Sequence, residues 1–334
     1  MIEPLLGVSK QTIRTALRLL GIEVTRVTHR SSPPVEVLHR PANADNLTVH
    51  RLQLDNSEGF AWPKRPIAFA LVSSNHGTLI INRNDYRMFD EVNGFGLGFQ
   101  ILNSACYNYE EVKLLLSLLS NRRRFYGDGV IGIDCGANCG IHTVEWSRHM
   151  FGWGKVIAIE AQERIYYALC GNIAINNCMN AKAILAAVGN DTREISIPSP
   201  NYLKPASFGS LELRKGEDNE FIGQKLSYRE EDCERIPQIT IDSLDLDRVD
   251  LLKIDVEGME ADVLEGAQET IKKHTPQLCI EWIKSNADAI KGTLAGWGYR
   301  YFIVGENLIA IHNKDGAGNN ISMKDGILHI GRVL

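Results

Sequence analysis

The sequence predicts an α/β protein with a mostly parallel sheet closed at one side by an antiparallel hairpin. Three observations carry this. From Gly129 to Gly296, short apolar runs alternate with segments of helical period. The first run, Val130–Ile133, reaches an acid, Asp134, and then a tight turn, Gly136-Ala137-Asn138-Cys139-Gly140; a second run, Val156–Ile159, ends in Glu160. Last, the runs 299–304 and 308–311 are separated only by Gly305-Glu306-Asn307. A link that short holds no crossover helix, so these two strands are antiparallel neighbours.

In chain order, Ser9–Leu20 reads as a short helix capped by Ser9 and ended by Gly21, with Ile13, Leu17 and Leu20 on one face. Residues 31–65 place Pro33, Pro34, Pro41 and Pro63 around two short alternating runs. Ile67–Val72 and Thr78–Ile81 read as two strands joined by a glycine-containing turn. Residues 1–110 are therefore expected to form a β-rich accessory region with a leading helix. Glu110–Leu119 is a helix leading into the main domain, and Arg122-Arg123-Arg124 reads as its solvated end, where cations offset the helix dipole. The main domain, 111–313, then runs as strand 130–134, helix 140–150, strand 155–160, helix 163–177 and strand 182–188. A polar excursion follows over 190–238, with strand character at Glu194–Ile197 and Ser210–Leu213. The domain continues as strand 250–255, helix 259–273, strand 277–282, helix 286–296 and the closing hairpin. Residues 314–334 are a tail with one further strand candidate, Ile327–Ile330. A parallel Rossmann-like sheet finished by an antiparallel hairpin is the layout of a class I methyltransferase.

Composition fits an ordinary globular chain: 334 residues, 44% hydrophobic, 23% charged. A net charge of −5 gives no electrostatic support to a nucleic-acid partner. Seven scattered cysteines suit reduced thiols in the cytoplasm better than a disulfide framework, and Cys135 and Cys139 lack the companions a zinc site needs. The first residues lack the basic and apolar regions of a signal peptide, and no apolar stretch approaches the ~20 residues of a membrane span.

The glycine turn between strand and helix lets backbone approach a ligand closely. Dinucleotide sites use three glycines there, with a pyrophosphate seated on the helix N-terminus. Here the middle glycine is absent and Asp134 stands at the mouth, where it would repel a pyrophosphate. It would suit the ammonium end of an amino-acid-bearing cofactor, directly or through water, which points to S-adenosyl-L-methionine (SAM) over NAD. Glu160 suits the ribose hydroxyls of either. Gly136, Ala137, Asn138 and Gly140 complete the expected cofactor set, and His142 could face the pocket from the first helical turn. The bland alternatives are a turn-capping Asp134 and a solvated Glu160.

At Asp134-x-Gly-Ala-Asn-x-Gly the chain resembles the FkbM family of SAM-dependent methyltransferases. A more specific match is Thr240-Ile241-Asp242-Ser243-Leu244 followed by Lys253-Ile254-Asp255-Val256-Glu257-Gly258-Met259-Glu260 and Val263-Leu264-Glu265-Gly266-Ala267; Ser207-Phe208-Gly209-Ser210 is a weaker third. The resemblance spans roughly 95–312, and Ala161 stands where the family often has Pro. It implies O-methylation, typically of a sugar or polyketide hydroxyl, so the expected partner is a small-molecule or glycan hydroxyl acceptor.

Methyl transfer from a sulfonium is an in-line displacement that needs the acceptor oxygen held about 3–3.5 Å from the methyl carbon. A general base helps an aliphatic hydroxyl by roughly 10²–10⁴-fold. Lys253 and Asp255 are two apart on a strand and share a face. Asp255 is the expected base or acceptor-orienting group, Lys253 sets the charge around it, and Glu257 contacts substrate or cofactor. Glu281 is a second base candidate. The alternative is a structural Lys253–Asp255 ion pair with Glu257 capping the next helix. Asp255, Glu257 and Glu281 could also hold Mg²⁺, although no metal is assigned. Tyr202, Phe208, Phe221 and Tyr228 offer either faces for a sugar ring or a small core of the excursion. Two other classes compete: an NAD-dependent oxidoreductase, and a non-catalytic protein on a methyltransferase fold. Residues 1–110 could shape the acceptor pocket, make a homo-oligomer or dock a partner.

Overall fold

A computed structural model describes residues 65–331, together with the backbones of two short antiparallel strands, β1 (Glu36–His39) and β2 (Thr48–Arg51). The expected helix Ser9–Leu20 lies outside the described residues. Chain contacts group Met1–Arg65 as one unit and Pro66–Leu334 as another. The expected boundary at 110 is thus displaced to 65, for a physical reason given below.

The second unit is built on a seven-stranded sheet of order β15-β16-β14-β13-β7-β8-β9. Its strands are β7 (Val130–Cys135), β8 (Gly154–Glu160), β9 (Ala181–Leu185), β13 (Leu251–Ile254), β14 (Gln277–Glu281), β15 (Tyr299–Val304) and β16 (Asn307–His312). All neighbouring pairs are parallel except β14–β16 and β15–β16. The two-residue turn at Gly305-Glu306 folds β16 back between β14 and β15, as the short link required. This is the class I methyltransferase fold. The central strands are buried on both faces, so they read as near-continuous apolar runs.

The helices are α1 (Leu97–Ser104), α2 (Tyr109–Tyr126), α3 (Ile141–His149), α4 (Glu163–Ile175), α5 (Glu260–Glu265), α6 (Gln268–His274) and α7 (Ala287–Gly296). Two elements differ from the sequence expectation for stated reasons. The helix expected over 259–273 is broken into α5 and α6 at Gly266, whose backbone lies so close to Gly189 that a Cβ would sit 2.1 Å from the Gly189 oxygen. The strand expected over 182–188 is split at Ala186. Its last two residues, β10 (Ala187–Val188), leave the main sheet and join β11 (Arg193–Pro198) and β12 (Cys233–Ile239) in a three-stranded sheet. Ser210–Leu213 is not a strand, because Phe208–Ser210 forms a tight 3₁₀ turn.

The part of the expected accessory region that belongs to the second unit, from Pro66 on, packs directly on this frame. The hairpin β3 (Phe69–Ser74) and β4 (Gly77–Asn82) lies against α4, and Leu79 and Ile81 share a core with Leu97, Ile101, Ile141 and Ala168. Asn172 on α4 mimics an edge strand: its Oδ1 accepts from Ile80 N (2.5 Å) and its Nδ2 donates to Ile80 O (3.0 Å). Asn176, one turn on, does the same for Thr78. These amides satisfy the free edge of β4, which would otherwise be open to pairing.

The basic run also differs from expectation. α2 extends to Tyr126, and Arg122 is buried rather than solvated. Its guanidinium reaches Asp250 (3.1 Å) and Asp315 (2.9 Å), while Arg123 and Arg124 remain exposed. Asp315 also accepts from Gln277 Nε2 and the Tyr126 hydroxyl. The tail is thereby fastened at the amino edge of the sheet and ends in its own hairpin, β17 (Ile321–Lys324) and β18 (Ile327–Ile330), rather than adding to the main sheet.

Candidate active site

The carboxyl ends of β7, β8, β13 and β14 open into a cavity of about 560 Å³. In open α/β sheets this edge is where ligands bind. The turn after β7 is tied to β8: the amides of Gly136 and Ala137 both donate to the Ile159 carbonyl at 3.0 Å, and Asn138 N donates to Glu160 Oε2 at 2.8 Å. Gly136 has φ +78°, and a Cβ there would stand 1.7 Å from the Asp255 carbonyl oxygen, so only glycine lets the turn pass the end of β13. Asn138, at φ +51°, is the residue type that best tolerates the left-handed region after glycine.

Gly136, Ala137, Asn138 and Glu160 line the cavity, as do Lys253, Asp255 and Glu257. Glu160 accepts from Gln162 N and Asn138 N, one bond on each oxygen, which leaves lone pairs for a ligand. Burial pushes its carboxyl up to about 7, against the lowering effect of those amides. Asp134 and Gly140 do not reach the cavity wall. Asp134 is 1% exposed, and its Oδ2 accepts from the Thr143 hydroxyl (2.7 Å). Its carboxylate lies at the start of α3, behind the turn, and its Oδ1 has no hydrogen-bond partner among the described residues. Gly140 instead makes room for Leu169 and starts α3.

The second half of the site stands on β13 and β14. Lys253 Nζ pairs with Asp255 Oδ2 at 2.7 Å. Lys253 is buried, which alone would favour its neutral form, but Asp255, Asp134 and Glu111 hold it firmly charged. Glu257 does not cap α5, whose N-terminus has no side-chain cap; Glu260 Oε1 instead accepts from Val256 N and Gly258 N of the preceding loop. Glu257 instead pairs with Lys284, which also reaches Glu220 at 2.9 Å. Asp255, Glu257 and Glu281 bring carboxylate oxygens within 4.8 Å of one another. Burial and the neighbouring Asp255 push Glu257 up to about 8 and Glu281 up to about 9. Glu281 thus holds its proton at neutral pH and can donate to Asp255, which leaves Asp255 as the better base of the two.

Part of the wall comes from residues 89–111, within the region expected to be able to shape the acceptor pocket, although no motif singled those residues out. Phe89, Phe95 and Tyr107 supply the aromatic surface, with Phe89 and Phe95 stacked at 5.0 Å. Tyr202 and Phe208 form the excursion's own core with Ile165, Ala206, Leu211 and Ile222, while Phe221 lies under Arg87 and Tyr228 donates to the Glu212 carbonyl. Asp85 joins the two covering segments by accepting from Phe208 N, and its own carboxyl is pushed up to about 7 by burial. Glu111 and His142 face the cavity side by side, a pair no motif marks. The Ser207-Phe208-Gly209-Ser210 segment closes over the glycine turn, with Gly209 beside Asn138.

A family model for the methyltransferase FkbM domain matches residues 134–301, half of the chain. The chain belongs to the FkbM methyltransferase family. The match contains the glycine turn, Glu160, the excursion, and the Lys253–Glu257 segment. Among solved structures, this FkbM chain is similar to methyltransferase FkbM from Methylobacillus flagellatus KT at 17% identity and TM-score 0.41, over 59% of this chain and 48% of that one. It thus spans about half the length of that protein. It is also similar to a methyltransferase from Geobacter sulfurreducens (13% identity, TM-score 0.36, 64% and 84% covered) and to a SAM dependent methyltransferase from Aquifex aeolicus (13% identity, TM-score 0.28, 62% and 97% covered). These are likenesses of fold alone. Nothing among curated proteins matches the chain. No helix among the described residues is long and apolar enough to cross a membrane.

Proposed function

We propose that this FkbM methyltransferase is a cytoplasmic SAM-dependent O-methyltransferase acting on a hydroxyl of a sugar, glycan or other small hydroxylated metabolite. One observation carries the reading: a single cavity joins the Gly136–Asn138 turn and Glu160 to the Lys253–Asp255 pair. The cavity wall fits the cofactor. Gly136, Ala137 and Asn138 line it beside Glu160, which keeps acceptor capacity for ribose hydroxyls. When bound, SAM supplies a methyl group on a positively charged sulfur, already activated for displacement.

The chain's own residues supply position and proton acceptance. Asp255 takes the acceptor's proton or orients its hydroxyl, with its carboxylate fixed by Lys253. Lys253 is buried behind it and keeps the local charge balanced. Glu281, protonated at neutral pH, offers a donor to the same acceptor or to Asp255. Glu257, beside Asp255 and Glu281, is paired with Lys284, and both line the cavity. Phe89 and Phe95 give an apolar face to one side of the acceptor.

The test is calorimetric titration of the whole protein with SAM and S-adenosylhomocysteine (SAH), with NAD as control and Glu160→Ala as the variant. Micromolar adenosyl binding that the variant loses is the expected result. NAD binding without adenosyl binding would overturn the reading.

A further inference from the structure

The Glu111–His142 pair belongs to no motif that identifies this family, yet it occupies one end of the cavity. Glu111 stands in the first turn of α2 and His142 in the first turn of α3. Glu111 Oε1 lies 3.1 Å from His142 Nε2, and its Oε2 accepts from Asn307 Nδ2 (3.2 Å) and Asn108 Nδ2 (3.4 Å). A carboxylate has about four lone-pair sites, so three donors leave one open. The group is mostly buried yet lines the cavity, with 18% of its side chain exposed. Burial would raise its carboxyl, but His142, Lys253 and Asn307 together hold it down to about 2, so it is a permanent anion.

The position of this anion follows from the sheet. Glu160 ends β8, and Ala186–Val188, beyond β9, also line the cavity. The sheet order β13-β7-β8-β9 means that a nucleoside anchored at Glu160 over β8 and β9 would have its other end over the glycine turn, toward β7 and β13. Glu111, His142 and Lys253 stand there. Asp134, the acid the sequence offered for that end, is turned away behind the wall.

Resting on the SAM reading, we infer that Glu111, held by His142 and Asn307, binds the α-ammonium of the cofactor's amino-acid end. Glu111 then takes the role the motif suggested for Asp134, and Asp134 acts on the site only through its charge behind Lys253. His142 is a positioning residue that fixes the rotamer of Glu111.

The experiment is a cycle of two proteins and two ligands. Wild type and Glu111→Gln are titrated calorimetrically with SAH and with its deaminated analogue, which keeps the adenosine and carboxylate but lacks the amine. Thermal melts check that the variant is folded. Glu111→Gln keeps shape and removes charge, so SAH affinity should fall roughly ten- to a hundredfold, the worth of a hydrogen bond to a charged group. Affinity for the deaminated analogue should be unchanged. A His142→Asn variant should show the same selective loss, smaller in size. Equal affinity of wild type and Glu111→Gln for SAH would overturn the inference while leaving the cofactor reading intact. An equal loss for both ligands would also overturn it, since it would assign Glu111 to the shape of the site rather than to the amine. Absence of binding of either ligand to the folded wild type would remove the cofactor reading itself, and the inference with it.

Discussion

Replacing Gly136 by alanine tests how the sheet and the site are joined. At φ +78° an alanine pays about 1–2 kcal/mol for the left-handed conformation. Its Cβ would also lie 1.7 Å from the carbonyl oxygen of Asp255 and 2.9 Å from the carbonyl carbon. Both are backbone atoms, so no rotamer change relieves the collision, and β7 must shift against β13. Overpacking of this kind costs about 1–3 kcal/mol, giving a total near 2–5 kcal/mol. Gly152→Ala is the internal control: its φ is +81°, but nothing stands within 4 Å of its Cβ. The difference between the two variants in urea denaturation isolates the collision. The turn and Asp255 abut and both line the cavity, so Gly136→Ala should also lose SAH binding by calorimetry, while Gly152→Ala keeps it. Equal stability loss in the two variants would refute the reasoning, because the close approach of turn and strand would then cost nothing.

Asp255→Asn should abolish or reduce turnover by about 10²–10⁴-fold while retaining SAH affinity; unchanged turnover would remove it from the base role. Glu281 has its carboxyl raised from 4.5 to about 9 in the fold, so the folded state keeps a proton the unfolded state loses. Its contribution to stability is full below about pH 4.5 and is lost as pH rises toward about 9. Glu281→Gln should therefore flatten the fall in stability across that window, measured as urea midpoints at several pH values. Arg122→Met should destabilise the protein by about 3–5 kcal/mol, because it leaves Asp315 buried without its cation, while Asp250 keeps Arg248. Denaturation at neutral pH measures it.

The fold was legible because its signals are local. Apolar runs, the glycine turn and the three-residue hairpin link each depend on a few adjacent residues, and every strand of the main sheet lies where its run placed it. Asp255, Lys253, Glu160 and Gly136 line one cavity because strand ends and the turns after them face one edge of a parallel sheet. The misreadings share an opposite cause. Arg122 looked solvated because its partners lie 128 and 193 positions away, at Asp250 and Asp315. The hairpin at 69–82 looked independent because its attachment runs through two helix asparagines, a residue type that reads as neutral on a helix face. For Asp134, spacing fixes where the strand ends but not that its carboxylate accepts from Thr143 inside the fold. Glu111 gave no signal, since one acid in the first turn of a helix is expected anyway as a complement to the dipole.

The latch at the amino edge has a consequence for the order of events in synthesis. Arg122 emerges from the ribosome long before Asp250, and Asp250 before Asp315. Until residue 315 is available, a chain that has already paired β7 with β13 holds its arginine against one carboxylate instead of two. Gln277 and Tyr126 likewise wait for the same late acceptor. The domain can thus assemble its parallel strands during translation, but its interior charge is balanced only at the end. A chain cut just before 315 would carry every residue of the cavity wall and yet lack the group that completes its far side. Retention of such fragments by chaperones or proteases would be a form of quality control written into the position of a single aspartate.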